Sequence, residues 1–141
     1  MRHVLVTRRY RFCAAHRLHT EHLSPEENRA AFGKCNNANG HGHNYVVLVT
    51  VNKSVSVSDG GVVDLDRLDR IVTDAIVKRW DHHDLNRDPE FADCTTTGEN
   101  LVLLIWNLLV DKFPPGTLAK VGVIETRDNY FEYAAPTAAH R

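Results

Sequence analysis

The sequence lacks the features that would place it in several large protein classes. Its 141 residues contain three cysteines, an odd number at irregular spacing, so a disulfide framework is not expected. No apolar run reaches the length of a transmembrane helix, and the N-terminal segment interleaves valine and leucine with arginines, unlike a signal peptide. We therefore expect a reduced, cytoplasmic chain that has no membrane partner.

An excess of one charge is also missing. The chain has 17 Lys+Arg and 18 Asp+Glu, for a formal net charge of -1, so nothing points to nucleic acid or an anionic membrane as partner. Linkers, internal repeats and low-complexity segments are absent up to an Ala/Pro-rich tail that follows residue 133. This organisation predicts a single domain over residues 1–141, with a less ordered tail.

Alternation of apolar and polar residues predicts strands in four places. These strands cover residues 3–16, 43–53, 120–126 and 130–133. The segment Asp59-Gly60-Gly61 is typical of a turn, and a short extended piece is expected at residues 62–63.

Apolar residues spaced three and four apart predict two long helices. The first is capped by Asp64 and ends near Trp80, and residues 96–99 spell a capping box that opens the second. Ser24 and Pro25 also predict a short helix near residues 25–32. The order β-β-α-α-β-β predicts an α+β fold, with two helices on one face of a four-stranded antiparallel sheet. The uncovered sheet face predicts oligomerisation.

Three histidines form a candidate metal site. His41 and His43 lie two residues apart at the start of a predicted strand, so their imidazoles project from the same face. His16 ends the first predicted strand on its apolar face. Three imidazoles leave one position of a tetrahedral ion open, which predicts a catalytic rather than a structural zinc site. Zinc there would act as a Lewis acid toward hydroxyl groups that occupy the open position.

Cys35 precedes this pair of histidines and has three interpretations. It could be a small buried apolar residue, a fourth zinc ligand that closes the site, or a thiolate base or nucleophile beside the metal. The sequence leaves these alternatives open. The remaining cysteines and several histidines we interpret as structural or surface residues, and these are Cys13, Cys94, His3, His19, His22 and His140.

Two further acidic positions are candidates for function. Asp81 and His82 would form a carboxylate–imidazole pair able to move a proton. The alternative, which the residues by themselves favour, is a solvated loop, and His83 and Asp84 offer competing partners. Glu125 alternates with valines on an apolar strand face, where a carboxylate needs a partner.

The Glu125 carboxylate is suited to bind the edge of an aminopyrimidine, and the alternative is a strand residue that points to water. Glu99 is interpreted as a helix-capping residue in which a second role is possible.

Several motifs together resemble one known family over residues 8–133. They are Phe12-x-Ala14-x-His16-Arg17-Leu18, Leu23 to Asn28, Phe32 to Tyr45, Trp80-Asp81-His82, Phe91-Ala92-Asp93, Thr97-Gly98-Glu99-Asn100 and Val123-Ile124-Glu125-Thr126. The chain resembles the 6-pyruvoyl-tetrahydropterin synthase family. That resemblance implies the tunnelling fold, in which trimers close their sheets into a barrel, two trimers stack into a homohexamer, and active sites lie between subunits.

The resemblance also implies a reaction. The family converts 7,8-dihydroneopterin triphosphate into 6-pyruvoyl-tetrahydropterin in tetrahydrobiopterin biosynthesis. The enzyme is a carbon–oxygen lyase that releases triphosphate, shifts hydrogens within the substrate and uses no external redox cofactor. One zinc ion per subunit grips the side-chain hydroxyls and acidifies the neighbouring C–H, and activity also depends on magnesium.

Roles carry over from the family to matching positions. The family's zinc ligands correspond to His16, His41 and His43, and its pterin anchor corresponds to Glu125. Its proton-abstracting cysteine corresponds to Cys35, and the relay partners of that cysteine correspond to Asp81 and His82. The segment that helps to hold the pterin ring contains Thr97 and Glu99. Gly98 departs from the pattern, because animal-type members tend to have a hydroxyl residue there. For the triphosphate, only Arg17 and Lys34 are candidates.

The nearest alternative is 6-carboxy-tetrahydropterin synthase of the queuosine pathway, which shares the fold and the metal. Its members tend to have a shorter gap before the His-Gly-His motif, so the five residues between Cys35 and His41 favour the pyruvoyl-forming type. A non-catalytic pterin-binding module and a protein with a structural zinc site are further alternatives.

Overall fold

Two long antiparallel strands form the centre of the fold. The computed structural model describes residues 2–55, 58 and 63–136. The strands are β1 (Arg2–His16), β2 (His41–Val55), β3 (His83–Asp84), β4 (Leu118–Thr126) and β5 (Asn129–Ala134). All four predicted strands are therefore confirmed. The predicted turn at 59–61, residue 62 and the tail from residue 137 lie outside the described residues.

The sheet differs from the predicted four-stranded antiparallel sheet. In the described chain it is five-stranded, in the order β3-β1-β2-β4-β5, and β3 pairs with β1 in parallel, which makes the sheet mixed. β3 lies in the segment predicted to be a polar loop. It has only two residues, too few to produce an alternating pattern in the sequence. The residue before β3 is fixed to β1 by a backbone hydrogen bond, in which the His82 N–H donates to the Cys13 carbonyl at 2.6 Å.

The register of β1 and β2 decides which side chains share a face. Phe12 pairs with Tyr45, and His16 pairs with His41 at the end of the ladder. Side chains of directly paired residues lie on the same face of a sheet. The buried residues of both strands consequently form one continuous apolar face, with Phe12 and Tyr45 stacked at a ring-centroid distance of 5.0 Å.

The second, third and fourth helices pack against this face, whereas the first contacts the turn that follows it. They are α1 (Pro25–Phe32), α2 (Leu65–Val72), α3 (Lys78–Trp80) and α4 (Gly98–Val110), and a π-helical turn (Thr73–Val77) joins α2 to α3 without a break. The predicted helix from an Asp64 cap to Trp80 is thereby confirmed, and so is the short helix at 25–32, which a capping box of Ser24 and Glu27 opens.

The π turn has a geometric consequence for the helix that contains it. Leu68, Val72, Ile76 and Trp80 are all buried, and they lie four residues apart. In an ideal α-helix each step of four residues rotates the side chain by about 40°, so such a row drifts off the buried face. A wider π turn reduces this drift. It keeps Trp80, at the end of the helix, inside the core.

The start of α4 is one residue later than the predicted capping box implies. Thr97 is the N-cap, and its hydroxyl accepts from the Asn100 N–H at 3.4 Å. Thr96 is instead buried, with its carbonyl turned toward His16. The capping-box interpretation of Thr96 and Glu99 was therefore wrong, because a tertiary hydrogen bond takes the first threonine. Glu99 lies exposed in the first turn.

One end of the sheet is left uncovered. Val4, predicted to face the core with the other even positions of β1, is 47% exposed, and its neighbour Leu5 is 63% exposed. The alternation is correct there, but no helix reaches that end of the strand. Among the described residues, no helix is long and apolar enough to cross a membrane.

Candidate metal centre and active site

The histidines predicted to bind metal converge at the end of the β1–β2 ladder. His16 and His41 are paired residues, and His43 follows two positions later on the same face. One ring nitrogen from each histidine lies within 4.8 Å of the other two. The Nε2 atoms of His16 and His41 are 2.9 Å apart. The β1–β2 register alone brings these three side chains together.

His16 is held in one tautomer. Its Nδ1 lies 2.8 Å from the Thr96 carbonyl oxygen, which can only accept, so Nδ1 carries the proton and the Nε2 lone pair faces His41. Burial, opposed by the hydrogen bond to Thr96 and assisted by the neighbouring His41 and His43, lowers the pKa of His16 to about 4. The imidazole is therefore neutral at pH 7, as a metal ligand must be.

His43 has an unsatisfied nitrogen. Its Nε2 is buried and has no hydrogen-bond partner among the described residues. Burial, and then the nearby His41, lower the pKa of His43, which favours a neutral ring with a free lone pair. A buried polar atom without a partner costs free energy and calls for an explanation. A metal ion bound by the three imidazoles would supply the missing partner, so the residues fit a divalent transition metal.

The turn before His41 depends on a glycine. Gly40 has a φ of 71°, and a Cβ there would lie 3.1 Å from the His16 carbonyl oxygen. A side chain would be both strained in this left-handed backbone and crowded against β1. Asn37 stabilises the same turn, since its carbonyl accepts from Gly40 N–H at 2.9 Å. This close approach delivers His41 to the end of the ladder.

Cys35 lies before this turn, in a single 3₁₀ turn (Gly33–Asn36). Its carbonyl accepts from the Leu18 N–H at 2.9 Å, and its thiol is partly buried. The cluster of converging donor atoms contains the three histidines and does not include the Cys35 sulfur among the described residues.

Asp81 and His82 do contact one another. One Asp81 oxygen is 3.1 Å from His82 Nδ1, and the other accepts from the Cys13 N–H at 2.9 Å. That backbone hydrogen bond, followed by His82, lowers the pKa of Asp81. His82 has a φ of 62° and a side chain that is 81% exposed, so its imidazole is presented to the outside of the subunit.

The competing partners have other contacts. His83 Nδ1 lies 2.8 Å from the Asp81 carbonyl oxygen, and Asp84 accepts from the Asn86 N–H at 2.9 Å. Among the described residues, no hydrogen bond or ion pair joins Cys35 to Asp81 or His82. Within one subunit the three histidines therefore meet one another, and Asp81 meets His82. Cys35 has no bond to either member of the Asp81–His82 pair among the described residues.

Glu125 lies where the register of the β4–β5 ladder shifts, and its proximity to Tyr45 puts it on the apolar side that alternation with the β4 valines predicts. It is half-buried, and burial raises the pKa of its carboxyl group, with Glu99 raising it further. A hydrogen bond with Asn129 opposes this shift. Burial also raises the pKa of Tyr45, and the nearby Glu125 adds to that effect. Glu125 and Glu99 thus form an acidic pair at the junction of β4 and α4.

Close to this pair, the packing around Gly98 explains why the chain departs from the family pattern at that position. A Cβ at Gly98 would lie 2.1 to 2.5 Å from atoms of the Phe131 ring. Phe131 comes from β5 and packs onto the first turn of α4, so it takes the space that a larger residue would occupy. No local pattern in the sequence could indicate this contact between the two residues.

A cleft of about 580 Å³ opens beside His16. It is lined by Arg17, His19, His22, Asp84 and Cys94, among others. His19, His22 and Cys94 were interpreted from the sequence as structural or surface residues, and they line the same cleft as His16. Their spacing carries no signal, because the cleft is formed by segments far apart in the chain.

Comparison with known proteins places the chain among relatives. It matches the family model described as 6-pyruvoyl tetrahydropterin synthase over residues 5–136. It is 46% identical over 129 residues to the human 6-pyruvoyl tetrahydrobiopterin synthase, covering 91% of this chain and 89% of the human one. It is 42% identical over 133 residues to the Drosophila melanogaster protein of that name, covering 93% of this chain and 79% of that protein.

A solved structure agrees with these relatives. The Caenorhabditis elegans 6-pyruvoyl tetrahydropterin synthase has a TM-score of 0.90 to this chain at 39% identity, covering 96% of this chain and 98% of that one. The agreement confirms the α+β fold with helices on one sheet. The chain belongs to the 6-pyruvoyl tetrahydropterin synthase family.

Proposed function

We propose that this chain is a zinc-dependent enzyme that converts 7,8-dihydroneopterin triphosphate into 6-pyruvoyl-tetrahydropterin and triphosphate, a step of tetrahydrobiopterin biosynthesis. The observation that carries the proposal is the convergence of three imidazoles within 4.8 Å around an unpartnered His43 nitrogen, in a chain of this family. The two relatives described above are named for the corresponding synthase, and each aligns with at least 91% of this chain.

His16, His41 and His43 would hold the zinc ion. Three imidazoles suit several transition metals, and a three-ligand site with one open position is typical of catalytic zinc. When bound, the ion supplies Lewis-acid stabilisation of the substrate's side-chain hydroxyls. The Thr96 carbonyl keeps the His16 proton on Nδ1, so the orientation of this ligand is set before the metal arrives.

Glu125 is the proposed anchor of the pterin ring. A half-buried carboxylate can accept from a ring N–H and the exocyclic amino group together, and its proximity to Glu99 strengthens the negative field there. Thr97 and Glu99, at the N-terminus of α4, are proposed to border the ring. Magnesium, as a partner of the triphosphate, is proposed as a further requirement.

Cys35 is the proposed base, and Asp81 with His82 its proton relay. The thiolate would take a proton from the substrate side chain, triphosphate would leave with its bonding electrons, and the remaining hydrogens would shift within the molecule. The lack of contact between Cys35 and the exposed His82 in one subunit supports a site shared between subunits. We therefore propose the trimeric barrel and the homohexamer of two trimers, each subunit being a single domain over residues 1–141.

A product assay tests the function. Purified protein loaded with zinc and supplied with magnesium is incubated with dihydroneopterin triphosphate, and the product is identified by mass. A three-carbon dioxo side chain and free triphosphate are expected. Release of acetaldehyde with a carboxylated pterin would instead establish the carboxy-forming reaction, and binding without turnover would leave a pterin-binding module.

A further inference from the structure

A second cleft, which we call the basic cleft, is lined by three cations and no carboxylate. Its volume is about 480 Å³, and Arg17, Arg29 and Lys34 line it. Cations gathered without a compensating acid repel one another unless an anion joins them. Arg29 in the last turn of α1 also offsets the negative end of that helix, which accounts for one cation but not for all three.

The cations of the basic cleft are available for a ligand. Arg17 uses its Nε to donate to the Asn36 carbonyl at 3.1 Å, which fixes the guanidinium while leaving its terminal nitrogens free of contacts with other described residues. Arg29 and Lys34 form no ion pair with any described residue. At Gly33, between them along the chain, a Cβ would meet nothing within 4 Å, so this side of the cleft is open.

The basic cleft is continuous with the metal centre. Arg17 and Ala38 line both this cleft and the larger one beside His16. Arg17 directly follows the ligand His16, and Lys34 directly precedes Cys35. An anion in the cleft would therefore lie near the chain segments that carry the ligand His16 and the proposed base.

We propose that the basic cleft binds the triphosphate of the substrate, an inference that rests on the proposed function. Arg29 and Lys34 contribute the charge and Arg17 orients its guanidinium toward the ligand. Arginine binds phosphate oxygens in pairs and lysine acts as a compact point charge, so the set suits a polyphosphate. The same contacts stabilise the leaving group once its bond to carbon has broken.

The test compares three proteins loaded with zinc: the unmodified chain, the double variant R29Q/K34Q, and a control, R67Q/K112Q. The control removes the same charge from the exposed residues Arg67 and Lys112, which lie outside the basic cleft. Binding of inorganic triphosphate and of dihydroneopterin, which lacks phosphate, is measured by calorimetry, and KM for the full substrate is determined alongside.

We expect R29Q/K34Q to weaken triphosphate binding and raise KM by about 10- to 100-fold, roughly tenfold for each charge-assisted hydrogen bond that the substitutions remove. Its affinity for dihydroneopterin and its zinc content should equal those of the control. The conservative K34R should retain triphosphate binding within about threefold, because the charge is kept.

Equal triphosphate affinity in R29Q/K34Q and the control would overturn the proposal for the cleft, while turnover by the unmodified chain would still support the enzyme function. If the unmodified chain forms no product, the proposed reaction is wrong. If R29Q/K34Q nevertheless binds triphosphate more weakly than the control does, the basic cleft is still a polyphosphate site. A parallel loss of dihydroneopterin affinity would also overturn the proposal, since the variant would then have disturbed the pterin site.

Discussion

The candidate metal centre and the proposed proton relay differ in how the fold positions their residues. The three histidines come from two adjacent strands, and one subunit contains the whole cluster. The relay is divided: Asp81 and His82 contact one another on an exposed loop, whereas Cys35 lies in a separate turn without a bond to either. We therefore expect metal binding to depend on the folded subunit alone, and the proposed proton transfer to depend on the proposed assembly.

Removing a metal ligand should have the largest effect. The variant H43A leaves two imidazoles, so we expect less than about a tenth of the zinc and loss of turnover below detection. H3A is the control, since His3 is an exposed residue whose ring has a hydrogen bond with Ser54 and lies outside the three-histidine cluster. Zinc content by elemental analysis and product formation provide the readouts. Full zinc content in H43A would contradict the assignment of the centre.

Removing the proposed base should affect the proposed proton transfer and leave metal binding unchanged. We expect C35A to reduce turnover by about 10²- to 10⁴-fold, the usual contribution of a general base, without changing zinc content or dihydroneopterin affinity. C94A serves as the matched control, because Cys94 is an exposed thiol. Unchanged turnover in C35A would remove the cysteine from the mechanism, and loss of zinc would make it a ligand.

Mixing inactive subunits sharpens the comparison further. C35A and H82A are each expected to be inactive, and co-refolded mixtures should recover about a quarter of wild-type activity if each site draws one residue from each of two subunits at random. A mixture that stays inactive would show that both residues act within the same subunit. The measurement is product formation against the fraction of each variant.

The junction of α4 and β5 offers a test of packing near the pterin anchor. G98A places a methyl group within 2.5 Å of the Phe131 ring, so we expect about 1–3 kcal/mol of destabilisation from overpacking. Phe131→Val removes the ring, and adding it to G98A should recover part of that loss. Denaturant unfolding measures both variants. Additive destabilisation in the double variant would mean that the two positions are not coupled.

Asp88 anchors the loop that carries the relay pair. Its carboxylate accepts from Arg79 at 2.7 and 2.8 Å and from the Trp80 Nε1 at 2.7 Å, and Arg79 lowers its pKa. A lowered pKa stabilises the fold above the carboxyl's unfolded value of about 3.9, and this stabilisation is lost as the pH falls through the folded value.

Replacing Asp88 by asparagine should therefore lower stability by about 1–2 kcal/mol at pH 7, with a difference from wild type that shrinks below pH 4. Thermal unfolding across pH 2.5–7 provides the measurement, with zinc binding as the control that should not change. A constant difference over the whole range would rule out the charge as the source of the stability.

The parts of the site that local periodicity encodes were predictable. Alternation predicts His16 on the apolar face of β1, His41 and His43 on one face of β2, and Glu125 on the same side as Val121 and Val123. The register of the two long strands then brings the three histidines together. Helix spacing likewise predicts the end at Trp80. These predictions succeed because side-chain direction within a strand or helix is a property of neighbouring residues.

The remaining features depend on contacts between distant segments. The Thr96 carbonyl accepts a hydrogen bond from His16, which lies 80 residues earlier in the chain, and Thr97 is the N-cap of α4 instead. The strand β3 exists because β1 offers it hydrogen bonds, and Phe131 decides what can stand at Gly98.

The sequence by itself determined the four longer strands, the long helices, the face of each of those strands and the chemistry of the candidate metal-binding side chains. The tertiary structure alone decided which His43 nitrogen lacks a partner, which cations surround the basic cleft and which residues of the relay fail to meet. The physical reason is that a strand's face is set by its own backbone, whereas burial and convergence depend on the packing of segments that are remote along the chain.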